Sequence, residues 1–463
     1  MIRPVLLLPL IAALGACNLE PPYAAPAPLV PSSWPVGDPA LKASEASLTA
    51  HDHRAMFVDP RLERLIDQAL ANNQDVKLAV ANIGAARGLY RVQRSALLPT
   101  VIAGADTTVR YTGQVNASGD HVTTDYTADI GASAFEIDLF GRVRSLSNAA
   151  LNSYFATEAA ARATRLTLVA DVADAWFTLA TDRTLLAIAT DTVASARQSE
   201  RLTRMRLLGG IAPRTDLRQA ETVRATAESD LANLTTIVDQ DRNALRLLAG
   251  SDMVESDLPK SIEEVERSAV PAAAGLDSMI LLRRPDVLEA EFRLRSANAQ
   301  IGAARAAFFP RISLTGLAGL ASGGLTSLFT GNAFGAAITP SVTLPIFGGT
   351  NRGNLDNARA QREGALATYQ KSLQVAFRDV ADALARRVTV DRQFAAQLEL
   401  EAAARDTAEL TAARYKGGIA SFLESLDAQR SLYAARRSLA NTRLLRARSV
   451  VTLYRSLGGD STL

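Results

Sequence analysis

The sequence predicts an α+β membrane protein in which each chain gives four β-strands to a shared barrel and long helices to a tube that continues it. Three observations carry this. Four segments of about ten residues alternate apolar and polar side chains, the pattern of membrane β-strands. Two Ala/Leu/Arg-rich segments of coiled-coil length run without proline. One supersecondary unit occurs twice along the chain, an architectural signal in its own right.

The chain opens MIRPVLLLPLIAALGAC. A single basic residue, Arg3, precedes an apolar run from Val5 to Leu14 and then small residues. That is the layout of a secretory signal over residues 1–16, and the run is shorter than the ~18 residues of a membrane helix. Cys17 follows, the one cysteine among 463 residues. A partnerless cysteine in an exported chain does not point to a disulfide. "LGAC" resembles the bacterial lipobox, which implies that Cys17 is acylated and tethers the mature chain to lipid without spanning it. Asn18, not aspartate, comes next, which by the same resemblance implies delivery to the outer membrane.

Lys+Arg total 50 and Asp+Glu 48, a formal net charge of +2 that gives no reason to expect nucleic acid. Hydrophobic residues make up 48% but aromatics 5%, so the apolar content is mostly small and aliphatic and suits close helix packing. After the signal no apolar run approaches the ~18 residues a membrane helix needs. A membrane crossing must therefore be made by strands, whose backbone groups pair with neighbours.

The elements follow in order. Residues 17–59 form an extended, initially Pro-rich strap (EPPYAAPAPLVPSSWP). From Asp59 to Pro99 the pattern is helical, with Leu62, Leu65, Ile66, Ala69 and Leu70 on one face. Strands are expected at about 100–112 and 122–138. In the first, Val101, Ala103, Ala105, Val109 and Tyr111 oppose Asp106, Thr108 and Arg110; in the second, Val122, Tyr126, Ala128 and Ile130 oppose Asp125, Thr127 and Asp129. A long helix over 141–208, about 100 Å at 1.5 Å per residue, leads through a Gly-Gly break to a helix at 214–248. These complete a first repeat, 60–249, and residues 250–275 join it to a second, 276–457. There the strands fall at about 311–321 and 334–346, the long helix at 352–416 and the return helix at 421–457, before a tail at 458–463. Leu317 breaks the alternation of the third strand, and Pro340 and Pro345 weaken the fourth. Phe135, Phe140, Phe308, Phe309 and Phe347 cluster at strand ends, as interfacial girdles do. A half-buried soluble sheet shows the same alternation and stays open as an alternative.

The repeat is visible residue by residue. QDVKLAVANIGAARGLYRVQRSALLP (74–99) aligns without gaps on PDVLEAEFRLRSANAQIGAARAAFFP (285–310), DLFGR (138–142) on PIFGG (345–349), and LLGGIAPRTDLRQAE (207–221) on YKGGIASFLESLDAQ (415–429). Four strands cannot close a membrane barrel, and open edges are not tolerated in hydrocarbon. Two, three or four copies would therefore share one barrel of eight, twelve or sixteen strands, continued by a helical tube: a conduit.

FVDPRLERLIDQALANNQDVKLAVANIGAARGLYRVQRSALLP, FEIDLFGRVRS, LLGGIAPRTDLRQAE, LLRRPDVLEAEFRLRSANAQIGAARAAFFPRI and RYKGGIASFLESLDAQRSLYAARRSLANTRL resemble the TolC-type outer-membrane efflux channels. With Cys17 they resemble the lipoprotein (NodT-type) branch that serves RND pumps. The resemblance covers nearly all of the mature chain. It implies a homotrimer with a twelve-stranded outer-membrane β-barrel, continued by a periplasmic α-helical barrel. It also implies that the tunnel docks a periplasmic adaptor and, through it, an inner-membrane pump, and that small toxic compounds leave by this route.

A conduit needs a gate, and the Gly-Gly turns mark the tip where the helices reverse. Glu424 and Asp427 are three apart and share a helix face; the resemblance makes them an acidic entrance ring. It also makes Asp216 the gate-locking acid and Tyr415 its hydroxyl partner. Ala420 stands where one version of that lock has an arginine, and Arg214 or Lys416 could replace it. The turns Gly209–Gly210–Ile211 and Gly417–Gly418–Ile419 are the expected adaptor contacts.

Other motifs carry less. His51 and His53 lack further ligands nearby, and GGTNRG (348–353) lacks the Lys-Ser/Thr of a P-loop. No catalytic constellation and no cofactor site can be assembled. An exit duct for secreted proteins, or a lipid-tethered periplasmic coiled-coil scaffold, are the competing functions.

Overall fold

A computed structural model describes residues 18–26, 53–111, 113–114, 119, 121–270 and 278–459. Its helices are α1 (Pro60–Asn72), α2 (Gln74–Ser95), α3 (Arg142–Leu208), α4 (Arg214–Ala249), α5 (Pro285–Ala306), α6 (Thr350–Lys416) and α7 (Phe422–Leu457), with short turns at His53–Met56 and Ile262–Val265. Its strands are β1 (Val101–Tyr111), β2 (Val122–Ile137), β3 (Arg311–Ser322) and β4 (Phe334–Thr343). α2 and α5 are each 22 residues, α3 and α6 each 67, α4 and α7 each 36. The chain divides into two compact units. Of the described residues, one unit holds 18–26, Ala81–Ala159 and Leu288–Lys371, and the other 53–80, Ala160–Val287 and 372–459.

In the first unit the four strands form one antiparallel sheet in the order β1-β2-β3-β4. The register shifts between Ala132 and Phe135 of β2. There Ala134 takes a positive φ of 53° and donates its N–H to Thr315 Oγ1 at 2.9 Å, a bulge that bends the strand. β1 and β4 are the edges. Pro340 sits opposite Leu314 on β4, an edge strand that tolerates its missing N–H. β4 stops at Thr343, two residues before Pro345 and short of the expected 346. The sheet leaves large apolar side chains uncovered along both edges: Val101, Val109, Ile338 and Val342 among them.

At the foot of the sheet, Arg142 makes a bidentate pair with Glu136 (2.8 and 2.6 Å), and the Asp138 carboxylate accepts the Arg144 N–H at 2.8 Å, capping the start of α3. Phe140 stacks on Phe309 at 4.7 Å. Residues 18–26 run extended along α3 and α5. Asn148 donates to the Glu20 carboxylate (2.9 and 3.0 Å), Asn298 to the Pro21 carbonyl (2.8 Å), and Arg295 lies over the Tyr23 ring at 4.9 Å. Gly302 opens the path, because a Cβ there would stand 2.7 Å from Glu20 Cα. Residues 18–26 of the strap thus have a packing basis that the sequence pattern hides: they are held by amides and a ring, not by a hydrophobic face.

The second unit carries the larger core. Leu62, Leu65, Ile66 and Ala69 of α1 are buried, with Leu70 half-buried; Trp176, Phe177 and Leu179 of α3 are buried too. Phe57 meets Tyr454 edge-on at 5.5 Å. The segment after α4 is tied to α3 through Trp176 Nε1, which donates to the Asp257 carbonyl (3.1 Å), and Arg183, which donates to the Pro259 carbonyl (2.8 Å). Val58 and Val270 pair the chain before α1 with this segment. One expectation is corrected here. The helical stretch from Asp59 to Pro99 is two helices, broken at Asn73, whose backbone is extended (ψ 137°). Its Oδ1 accepts the N–H groups of Asp75 (2.8 Å) and Val76 (3.3 Å), and its Nδ2 donates to the Leu248 carbonyl (3.0 Å). One asparagine ends α1, caps α2 and docks both on α4.

Candidate functional site

The long helix of each hairpin, α3 in one and α6 in the other, ends in the same kind of turn. After α3, Ile211 and Ala212 return their N–H groups to the Arg206 carbonyl (2.8 and 3.3 Å), while Gly210 donates to Leu207 (3.0 Å). After α6, Ile419 and Ala420 return to Arg414 (2.9 and 3.3 Å), and Gly418 donates to Tyr415 (3.0 Å). Gly210 (φ 74°) and Gly418 (φ 76°) take the left-handed conformation that this helix-ending motif requires. The apolar residue of each turn projects outward: Ile211 is 79% and Ile419 74% exposed.

The return helices start alike as well. Ser421 caps α7 by accepting the Glu424 N–H at 3.2 Å, so Glu424 occupies the third position of a capping box. Asp216 holds the equivalent position in α4, after Pro213, which offers no side-chain cap. Acids in a first turn face the positive end of the helix dipole. Glu424 and Asp427 are exposed on one face of α7, and Asp216 is half-buried.

Tyr415 is buried, packed with Ala220, Phe422 and Leu426 against Leu202 and Val223. Its ring meets Phe422 at 5.6 Å and its hydroxyl faces Thr203 Oγ1 at 3.4 Å. Among the described residues no hydrogen bond joins Tyr415 to Asp216 within one chain. Arg214 and Lys416 are both exposed.

The cation that does engage the tip is Arg206, which sequence reasoning missed. Its guanidinium stacks over the Tyr415 ring at 4.3 Å, and Nη2 donates to the carbonyls of Tyr415 (2.8 Å) and Lys416 (3.2 Å). It adds to the turn's own hydrogen bonds at the end of α6, reaching the Lys416 carbonyl as well, and clamps the buried tyrosine. A signal existed: an arginine precedes both GGIA turns at matched positions, Arg206 and Arg414.

Above the tip the first hairpin is laced by ion pairs. Arg204 and Arg224 both reach Glu200 (2.5 and 2.6 Å), and Arg197 and Arg224 both reach Glu228 (2.8 and 2.5 Å). The Arg204 guanidinium, with Arg224 beside it, holds Glu200 below the usual carboxylate range. A second group was also missed. Asp182 of α3 and Asp241 of α4 share a half-buried site near Arg448. Burial, then the hydrogen bond and charge of Asp182, push Asp241 up to about 7 against the pull of Arg448. Burial and the neighbouring like charge thus favour the protonated form of Asp241. Cys17 and His51 lie outside the described residues; His53 is buried in the turn before α1.

Comparison with known proteins then bears on the whole chain. The family model described as outer membrane efflux protein matches residues 65–251 and 276–459. The antibiotic efflux pump outer membrane protein ArpC of Pseudomonas putida is 41% identical over 451 residues, 96% of this chain and 93% of that protein. The outer membrane protein OprJ of Pseudomonas aeruginosa is 39% identical over 453 residues, again 96% and 93%. Among solved structures, the open state of the MtrE outer membrane channel of Neisseria gonorrhoeae superposes with a TM-score of 0.84 at 36% identity, covering 96% of this chain and 98% of that one.

Proposed function

The chain belongs to the outer membrane efflux protein family, and from that premise we propose that it is the passive exit duct of a tripartite efflux pump. Three copies close a twelve-stranded barrel in the outer membrane, and their long helices build a periplasmic tunnel. Small toxic compounds pass through it, delivered by an adaptor and an inner-membrane RND pump. The observation that carries this reading is the sheet. Among the described residues its edges β1 and β4 have no further partner strand, and apolar side chains such as Ile338 (77% exposed) stand uncovered. A neighbouring copy supplies the missing ladder and lipid covers the apolar face.

The hairpin tips form the periplasmic entrance. The turns at Gly209–Gly210–Ile211 and Gly417–Gly418–Ile419 meet the adaptor. Glu424 and Asp427 form an acidic ring that favours cations. Tyr415 and Asp216 belong to the gate in different ways. Tyr415 is the buried wedge that holds the hairpins together, and Asp216 sits at the start of α4 where a neighbouring copy can be reached. Cys17 is the acyl anchor, and the strap that follows it, bound along α3 and α5, keeps that anchor beside the barrel.

Purified protein tests the reading in two steps. Its mass in detergent is expected to be that of three chains, and planar bilayers are expected to show discrete ion conductance. An inserted, assembled protein that conducts nothing would leave the lipid-tethered scaffold as the better account.

A further inference from the structure

The internal repeat makes the two hairpin tips of one chain directly comparable, and they are not equally complete. Residue 206 corresponds to 414, and 207–208 to 415–416. At the end of α6 the carbonyls of Tyr415 and Lys416 receive the Arg206 guanidinium. At the end of α3 the equivalent carbonyls fare differently. Leu207 accepts the Gly210 N–H of its own turn; among the described residues no other donor reaches Leu207 and none reaches Leu208. Conversely, Arg206 has acceptors, while the repeat-equivalent Arg414 is exposed and makes no side-chain hydrogen bond or ion pair among the described residues. One chain thus presents a spare donor on its second hairpin and a spare acceptor on its first, at repeat-equivalent positions.

We infer that Arg414 docks on the next copy of this chain, its guanidinium donating to the Leu207 and Leu208 carbonyls of that copy's first hairpin. The contact repeats between chains what Arg206 makes within one. A head-to-tail contact of this kind, spare donor onto spare acceptor, generates a closed ring when the rotation permits. It rests on the shared-barrel reading above, which supplies a ring of copies. The chemistry is that of any helix C-terminus: unsatisfied carbonyls and a partial negative charge favour a cation there. Arginine suits the task because its fork can serve two carbonyls at once. The two joints differ in one respect. Arg206 also clamps an aromatic ring, Tyr415, whereas Arg414 would meet Leu207 in its place, so the joint between copies lacks the cation–π contribution and is the weaker of the two. Alternation of a strong joint and a weak one around the tip gives the ring a defined place to part when it opens.

The test is a crosslink in the full-length protein. Arg414→Cys and Leu208→Cys are introduced together and treated with a short bis-maleimide, because an arginine's reach exceeds the span of about 5.5–6 Å between disulfide-linked Cα atoms. The expected result is a ladder at two and three chain masses on a denaturing gel, absent from either single variant, which controls for Cys17. A protein that is oligomeric by its mass in detergent but yields only single chains on the gel overturns this contact and leaves the duct reading standing. A protein that is monomeric by mass overturns the ring and the contact with it. Arg414→Ala provides a second readout: larger conductance steps from an intact oligomer are expected, and parent-sized steps count against the joint.

Discussion

The sheet and the hairpin tips are held by different means. The sheet is a continuous backbone ladder across four strands, broken once at the β2 bulge, and among the described residues nothing covers its apolar surface or pairs with its two edges. The tips have a small side-chain core around Tyr415 and a single clamping arginine. A ladder forms or fails as a whole, and an unpaired edge must find a partner. A tip held by a few side chains can part and close again at modest cost. On the proposed reading, the region that seals against lipid is built of main chain, and the region that opens is built of replaceable contacts.

The largest effect is expected at the sheet. Ile338→Lys places a charge on the proposed lipid face at a cost of about 2–4 kcal/mol per chain, repeated in every copy. Assembled, heat-modifiable protein should disappear from the outer membrane fraction; full recovery would mean that this face does not meet lipid. Tyr415→Ala removes a buried aromatic, worth about 3–5 kcal/mol of local packing, but leaves the ladder intact. Assembly should persist while limited proteolysis cuts the turns at 209–212 and 417–420 faster than in the parent. Arg206→Ala should do less, about 1.5–3 kcal/mol for its charge-assisted hydrogen bonds. Arg206→Lys should fall between, because a lysine keeps the charge but loses the fork and the stacking.

A subtler effect comes from the carboxylate pair. Asp241 in the folded protein keeps its proton to about pH 7, whereas in the unfolded chain it loses it in the ordinary carboxylate range. The native state therefore binds more protons across that window, and this group's contribution to stability falls as pH rises through it. Asp241→Asn should flatten that part of a melting-temperature profile measured from about pH 4 to about pH 7; an unchanged slope would show that Asp241 does not keep its proton through that window. The smallest effect is Ser421→Ala, the loss of one helix cap at about 1 kcal/mol, seen as faster amide exchange confined to the first turn of α7.

The same contrast governs what the sequence revealed. The strands were legible because their alternation is local: Ile338 and Val342 announce a face wherever the sheet sits. The Gly-Gly turns were legible because a left-handed residue at Gly210 or Gly418 requires little beyond its own turn. Asn73 was not, because the apolar pattern runs on either side of it and its side-chain amide is anchored by the Leu248 carbonyl, far along the chain. Arg206 and the Asp182–Asp241 pair were not, because each depends on which faces of separate helices meet. The expected bond of Tyr415 to Asp216 came from resemblance alone; within the chain the tyrosine packs inward and an arginine takes its carbonyl.

Single-channel conductance in planar bilayers tests the account most directly, comparing the parent with Tyr415→Ala, Arg206→Ala and the double variant Glu424→Ala/Asp427→Ala. The account predicts small, cation-selective steps in the parent. It predicts larger steps when the tip core or its clamp is removed, and unchanged step size with lost selectivity when the acids are removed. Parent-sized steps from the first two variants, with the channel inserted and assembled, would contradict it and place the constriction away from the hairpin tips.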